Sequence, residues 1–363
     1  MNNNNVRTSE VNGLDNNWHK KKFRLSDFLA EKIINLIAFV SFAIIILIFV
    51  FVFRETLPIF SPTENQISII QAGEEQETYG EEFLSEEAQT RGVDERIQKI
   101  KSLESGGHSG EATIDNLLGK DWQPISAEPK YGILPLLVGS FKVTLVAVLI
   151  AAPIAILSAL FTAVFAPKWA KETLKPAIEI LAGFPSVVIG FFALIVLASV
   201  LQSIFGFEYR LNAIVGGTAL SLAVIPIIFT VAEDAISSIP KSMTEASYAL
   251  GAAKWQTALF VLLPAATPGV FAALLLGIGR AFGETMIVLM ATGNAAILSA
   301  DLAEPVRTLT ATIGAEMAEV VFGDTHYNVL FLIGSLLFII TFTLNAIAEF
   351  YVRNKLMRRF RGK

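Results

Sequence analysis

The sequence predicts an all-α membrane protein with six transmembrane helices and both termini cytoplasmic, and three observations point there. Of the 363 residues, 53% are hydrophobic and only 17% charged, against about 25% charged in an ordinary soluble chain. The apolar residues gather in blocks long enough to cross a hydrocarbon layer of ~30 Å, which takes about 20 helical residues. Between the blocks, lysines and arginines concentrate in alternate segments, as the positive-inside rule requires. Mean hydropathy is +0.57. A net charge of −5 argues against a nucleic-acid binder, and the lack of cysteine excludes disulfides, thiolate metal sites and cysteine nucleophiles.

Taken in order, residues 1–32 read as a cytoplasmic tail with an asparagine-rich, disordered start at Asn2–Asn5. The first span, 33–53, follows Lys20, Lys21, Lys22 and Arg24. It exceeds the apolar core of a signal peptide, and Arg54-Glu55-Thr56-Leu57-Pro58 is a poor cleavage site, so the span is retained. Residues 54–130 form an extracytoplasmic acidic insert, with Glu74, Glu75, Glu77, Glu81, Glu82, Glu86 and Glu87 close together. It reads as a solvated loop, with partner docking as the alternative. Its Ser105-Gly106-Gly107-His108 looks like an ATPase signature stretch by chance, since no P-loop accompanies it.

The core, 131–352, holds five further spans at about 136–165, 177–205, 211–236, 267–291 and 329–352. Pro153 bends the first of these, and Lys142 near its outer end snorkels toward the headgroups. Pro185 and Ser186 break the next, for helix packing or to shape a passage. The loop 167–176, with Lys168, Lys171 and Lys175, and the tail 353–363, with Arg353, Lys355, Arg358, Arg359, Arg361 and Lys363, fall on the side of the basic N-terminus. A five- or seven-span count would strand one basic segment outside.

Between the fourth and fifth spans lies the segment 240–264, too long for a simple turn. Strong helix formers run from Glu245 to Ala253, Gly251 interrupts them, and Pro264 marks a second break. This predicts a short helix across the cytoplasmic face with Glu245 near its positive end, and with small residues that a partner can approach. Glu245-Ala246-Ser247, Gly251, Val261 and Leu263-Pro264 stand at the spacing of the EAA loop, and on them the chain resembles ABC-importer permeases. Ser247 and Val261 are mild departures. The resemblance implies a type I importer core of the MetI-like kind, in which this loop is a coupling helix seated in a separate ATPase. Glu245, Ala246 and Gly251 are then coupling positions.

In the fifth span, Arg280 sits near the middle, where a lone arginine costs about 2.5–3.5 kcal/mol on insertion scales. Glu284, four residues on, shares its helical face and can pair with it. Gly279 and Gly283 form a small-xxx-small pair, and Thr285 adds a hydroxyl. Two uses are open: a structural clamp between helices, or an oxyanion site, since guanidinium donors match phosphate oxygens. The stretches GRAFGETM and Gly293-Asn294 resemble the fifth-span signature of phosphate-specific permeases of the PstC type, as do 139–167 and 181–194. That resemblance implies a phosphate pathway through Arg280, Glu284 and Thr285. It also implies as partners a PstA-type second permease subunit, a pair of ATPase subunits that bind ATP and Mg, and an extracytoplasmic phosphate-binding protein.

The chain carries no GxxxxGK[ST] P-loop and no nucleophile–base constellation, so it reads as a non-catalytic subunit without a cofactor of its own. His19, His108 and His326 lie far apart; Asp324 near His326 makes no ligand spacing, and no metal is assigned. A permease for molybdate or sulfate remains open, as does a secondary transporter or scaffold without an ATPase.

Overall fold

The computed structural model describes residues 25–60 and 112–351. The asparagine run 2–5, His19, the basic start (Lys20, Lys21, Lys22, Arg24), the acidic stretch 61–111 with its glutamates and His108, and the basic tail 353–363 lie outside the described residues. The described residues divide between Phe51 and Val52 into two units. Helix α1, Leu25–Thr56, contains the first predicted span, and its apolar side chains from Ile33 to Phe51 are exposed. A 3-10 turn, Leu57–Phe60, follows where Pro58 bars a further helical turn.

The described end of the insert is structured. Thr113 caps a short helix α2, Ile114–Leu117, by accepting the Asn116 N–H. Strands β1, Trp122–Gln123, and β2, Lys130–Tyr131, pair antiparallel. Helix α3, Leu134–Phe165, starts with Pro135, whose missing N–H costs nothing in a first turn.

The predicted loop 167–176 is itself helical: α4 spans Lys168–Ala182 and takes the first residues of the expected 177–205 span. After a break at Gly183-Phe184-Pro185 the spanning helix is α5, Ser186–Phe205. Then comes α6, Ala213–Ser237, with Asn212 accepting the Val215 N–H at its start. Next are α7, Lys241–Ala249, and α8, Lys254–Ala265. Helix α9, Thr267–Phe282, meets α8 at 71°.

The predicted fifth span, 267–291, is therefore not one rod. It breaks at Gly283-Glu284-Thr285 and resumes as α10, Met286–Ala291. Two helices complete the chain: α11, Leu309–Glu316, and α12, Thr325–Tyr351. Among the described residues five helices are long and apolar enough to cross a membrane, six if the bent α8–α9 pair is one span.

The core is a seam of small side chains. On α3, Gly139, Val143, Ala147, Ala151, Ala155 and Ala159 recur every fourth residue and are buried. On α6, Leu220, Val224, Ile228, Ala232 and Ile236 do the same. Period four places each set on one stripe. A Cβ on Gly217 of α6 would stand 2.5 Å from Val146 Cβ of α3, and one on Gly277 of α9 would stand 2.5 Å from Ile228 Cγ1. With Gly269 and Ala273, Gly277 lets α9 lie directly on α6.

The expected Gly279–Gly283 pair does not do this. A Cβ on Gly279 would meet Asn345 of α12 at an ordinary 3.7 Å, and Gly283 faces its own helix's carbonyls where that helix ends. Lys142 does not snorkel to headgroups either. It is buried, with its ammonium donating to the carbonyls of Ser299, at 3.1 Å, and Asp301. Nearby backbone acceptors satisfy it without the cost of reaching the interface.

The seam sets one expectation. Gly277→Ala forces Ile228 aside and lowers stability by about 1–3 kcal/mol. Gly279→Ala has room and gains helix propensity, so it is neutral or stabilising by up to about 1 kcal/mol. Thermal unfolding in detergent compares them, and equal effects contradict the packing assignment.

Candidate functional site

Two places hold the predicted residues. The first is the α7 turn. Its helix begins at Lys241, four residues before the predicted start, so Glu245 lies mid-helix and exposed rather than in the first turn. The helix closes in a Schellman arrangement: Gly251 N–H donates to Tyr248 O and Ala252 N–H to Ser247 O, with Gly251 at φ +86°. Glycine is required there because a side chain at positive φ crowds the backbone.

The reversal turns Leu250 outward, 89% exposed, next to exposed Tyr248 and Trp255. Ser247 is buried and shares a hydrogen bond with Thr257 Oγ1 at 2.9 Å, which ties α7 to α8; the departure from alanine there serves the elbow. Pro264 lies inside α8, and the sharp bend comes at Ala266 instead. The result is a rigid elbow with an apolar tip and Glu245 and Ala246 on its open side.

The second place is the α9–α10 break. Arg280 stands in the last turn of α9, and its guanidinium lies 3.6 Å from the Glu284 carboxylate. Because the helix ends at Phe282, the pair meets across the break and not along a continuous helical face. The two partners differ sharply: Arg280 is 54% exposed and Glu284 only 6%. Glu284 Oε1 also accepts the Met286 N–H, and its carbonyl accepts from Thr310 Oγ1. Ser140, Thr144, Thr308 and Thr310 surround it. These hydroxyls come from distant elements, and their spacing in the chain gave no signal.

Arg280 opens into a cavity of about 300 Å³, lined also by Leu181, Ala182, Phe184, Ser186, Ile189, Ala223 and Ile227. Ser186 is thus on the cavity wall, while Pro185 precedes the first turn of α5. Thr285 turns its methyl toward Gly314, where an added Cβ would stand 2.7 Å away. A half-exposed cation beside a buried carboxylate and largely apolar walls has donors that can meet an oxyanion.

A third cluster escaped the sequence reading, because Trp122 and Glu316 at its centre are 194 residues apart. Buried Glu316 accepts from Trp122 Nε1, at 3.1 and 3.2 Å, from Arg307 Nη1, and from His326 Nε2 at 2.9 Å. Arg307 Nε in turn donates to Asn294 Oδ1 at 3.1 Å. Gly293 and Asn294 both take positive φ, +81° and +47°, so they build a turn that holds Arg307. Burial pushes the Glu316 carboxyl up, but hydrogen bonds from His326 and Trp122 and the charge of Arg307 outweigh it and hold it below its usual range. Burial and Asp324 push the neighbouring Tyr131 phenol up to about 12. With its acceptors filled, this cluster pins the β1–β2 hairpin to α11 and α12. It lies at the end of the bundle opposite α4 and α7.

Comparison with known proteins adds the following. The profile of the family described as "Binding-protein-dependent transport system inner membrane component" matches residues 151–356. The "Probable ABC transporter permease protein YqgH" of Bacillus subtilis is 40% identical over 67% of this chain and 79% of that protein. The "Phosphate transport system permease protein PstC" of Xylella fastidiosa (strain Temecula1) is 33% identical over 63% of this chain and 75% of its own. A solved bacterial ABC transporter involved in alginate import aligns at a TM-score of 0.49 with 13% identity, covering 72% of this chain and 90% of that one.

The Glu316 cluster makes a pH-dependent contribution with a definite sign. A depressed carboxyl pKa stabilises the fold above the unfolded value of about 4.3, and that contribution is lost as pH falls through the folded pKa. Glu316→Gln leaves the mostly covered Arg307 without its counter-charge and costs about 3 kcal/mol at neutral pH. It also flattens the acid loss. Melting curves from pH 7 to pH 3 show this, and parallel curves for the two proteins contradict it.

Proposed function

The chain belongs to the family of inner-membrane components of binding-protein-dependent transport systems, and from that premise we propose that it is the permease subunit of an ATP-driven importer of inorganic phosphate. As a permease subunit of an ABC importer it is a non-catalytic, multi-pass membrane protein. The observation that carries the choice of solute is the Arg280–Glu284 pair at the edge of the cavity. Relatives such as the Xylella phosphate permease support the same choice.

In this reading the α7 elbow, with Glu245, Ala246 and Gly251, seats in a separate ATPase, which binds ATP and Mg. Its exposed Leu250, Tyr248 and Trp255 fit such a contact, since apolar side chains gathered on one turn gain by burial in a partner's groove. The orientation follows: α4, α7 and both termini are cytoplasmic, and residues 54–130 are extracytoplasmic. A PstA-type subunit covers the open side of the Arg280 cavity, and a phosphate-binding protein delivers solute from outside. When the ATPases close, the elbow moves, the helices rock, and phosphate passes along Arg280, with Glu284 re-pairing the cation after release. Thr285 stands beside the passage as a spacer between α10 and α11.

Uptake by the reconstituted complex tests this. Arg280→Lys keeps the charge but loses the two-pronged donor set, a loss of about 1.5–3 kcal/mol, or roughly ten- to a hundredfold in phosphate uptake. Gly251→Val strains the elbow and separates ATP hydrolysis from uptake. Wild-type uptake in Arg280→Lys contradicts the geometric role. Inhibition of uptake by molybdate or sulfate at concentrations equal to phosphate redirects the solute to another oxyanion, and full uptake without an ATPase rejects the importer reading.

A further inference from the structure

We infer that α4 is the arm joining the α7 elbow to the Arg280 cavity, and that Lys175 is the residue that positions it. The inference rests on the transport reading above. Lys175 Nζ donates to Glu233 Oε2 at 2.9 Å and to Asp234 Oδ1 at 3.2 Å, both near the end of α6. Ser237 Oγ holds the other Glu233 oxygen at 2.8 Å, so this nearly buried carboxylate is fixed from two sides. Only residues 238–240 separate α6 from α7, and Pro240 stiffens that link. A displacement of the elbow therefore reaches Glu233 and Asp234 with little slack.

Helix α4 carries the displacement onward. Lys171, Lys175, Ile178 and Leu181 follow at intervals of four, three and three, and so lie along one face. Lys171 Nζ donates to Ala163 O at 2.9 Å in the last turn of α3, which makes a pivot at the start of the arm. Seven residues past Lys175, or ~10 Å of helix, the arm ends in Leu181 and Ala182, and with Phe184 these form cavity wall beside Arg280.

The plain alternative is that Lys175 is one more cytoplasmic lysine facing water. Two carboxylates in reach argue against it, as does the upward push that their hydrogen bonds give the Lys175 ammonium. The Lys175 side chain is 39% exposed, and ion pairs at that exposure add little to static stability. Its effect belongs in the movement of the helix.

The chain has no cysteine, so Ala182→Cys is a unique probe of the cavity wall. In the complex assembled with its ATPase in nanodiscs, thiol modification at this position is timed with and without trapped nucleotide. The expected result is a change of about tenfold between the two states, the size of an ordinary coupling. Lys175→Met shrinks it to less than about twofold and lowers solute uptake per ATP hydrolysed in parallel. Exchanging the charges, Lys175→Glu with Glu233→Lys, restores part of both. Lys175→Gln replaces Lys175→Met under the same criterion if the latter does not assemble.

Full nucleotide dependence in an assembled Lys175→Met complex overturns the proposal, and so does its absence when Lys175 is intact. If labelling follows nucleotide and Lys175 as expected while the wild-type complex takes up no phosphate, the arm stands and the solute assignment fails.

Discussion

Close backbone contact between α3, α6 and α9 is the constraint on which the rest of this molecule depends. In a lipid solvent, helices gain nothing by hiding apolar surface from their surroundings, so contact must come from packing at short range. The alanine stripe on α3 and the glycines at 217, 269 and 277 provide that approach. They fix α6 as a spine. One end of the spine presents Glu233 and Asp234 beside the α7 elbow, and its middle offers Ala223 and Ile227 to the Arg280 cavity.

Against this apolar frame the charged groups sort by how completely they are satisfied. Glu316 accepts from three side chains while buried, an arrangement that anchors. The Arg280–Glu284 contact is 3.6 Å long, with one partner mostly buried and the other more than half open. A pair of that kind leaves part of the guanidinium open to the cavity. Lys175 falls between these cases: one partner, Glu233, is nearly buried and held by Ser237, while Asp234 and the lysine itself are exposed. The difference in satisfaction, rather than the presence of charge, separates the Glu316 anchor from the two pairs proposed above to act in transport.

Much of this was legible beforehand. The spans expected at 33–53, 136–165, 211–236 and 329–352 follow from long apolar runs and coincide, over the described residues, with most of α3, α6 and α12 and with part of α1. Gly251 marked the end of α7 because positive φ is a local property that a glycine announces. The pairing of Arg280 with Glu284 followed from spacing, although a broken helix brings it about.

What hydropathy could not show was the split between α4 and α5. Residues 177–182 are as apolar as a span but belong to an amphipathic helix that ends at Gly183-Phe184-Pro185. The break at Gly283-Glu284-Thr285 was hidden for the same reason, since neighbouring helices and hydroxyls satisfy its freed backbone. The Glu316 cluster and the Lys175 grip join residues far apart in the chain, and no local pattern encodes them.

In the transport proposed above, the guanidinium beside Glu284 exchanges that partner for the anion. A cryo-EM structure of the assembled complex, trapped by nucleotide in the presence of phosphate, tests it most directly. Anion density is expected within about 3 Å of the Arg280 nitrogens, with the Glu284 contact lengthened. Phosphate resolved in the passage away from Arg280, with the Arg280–Glu284 contact unchanged, contradicts it.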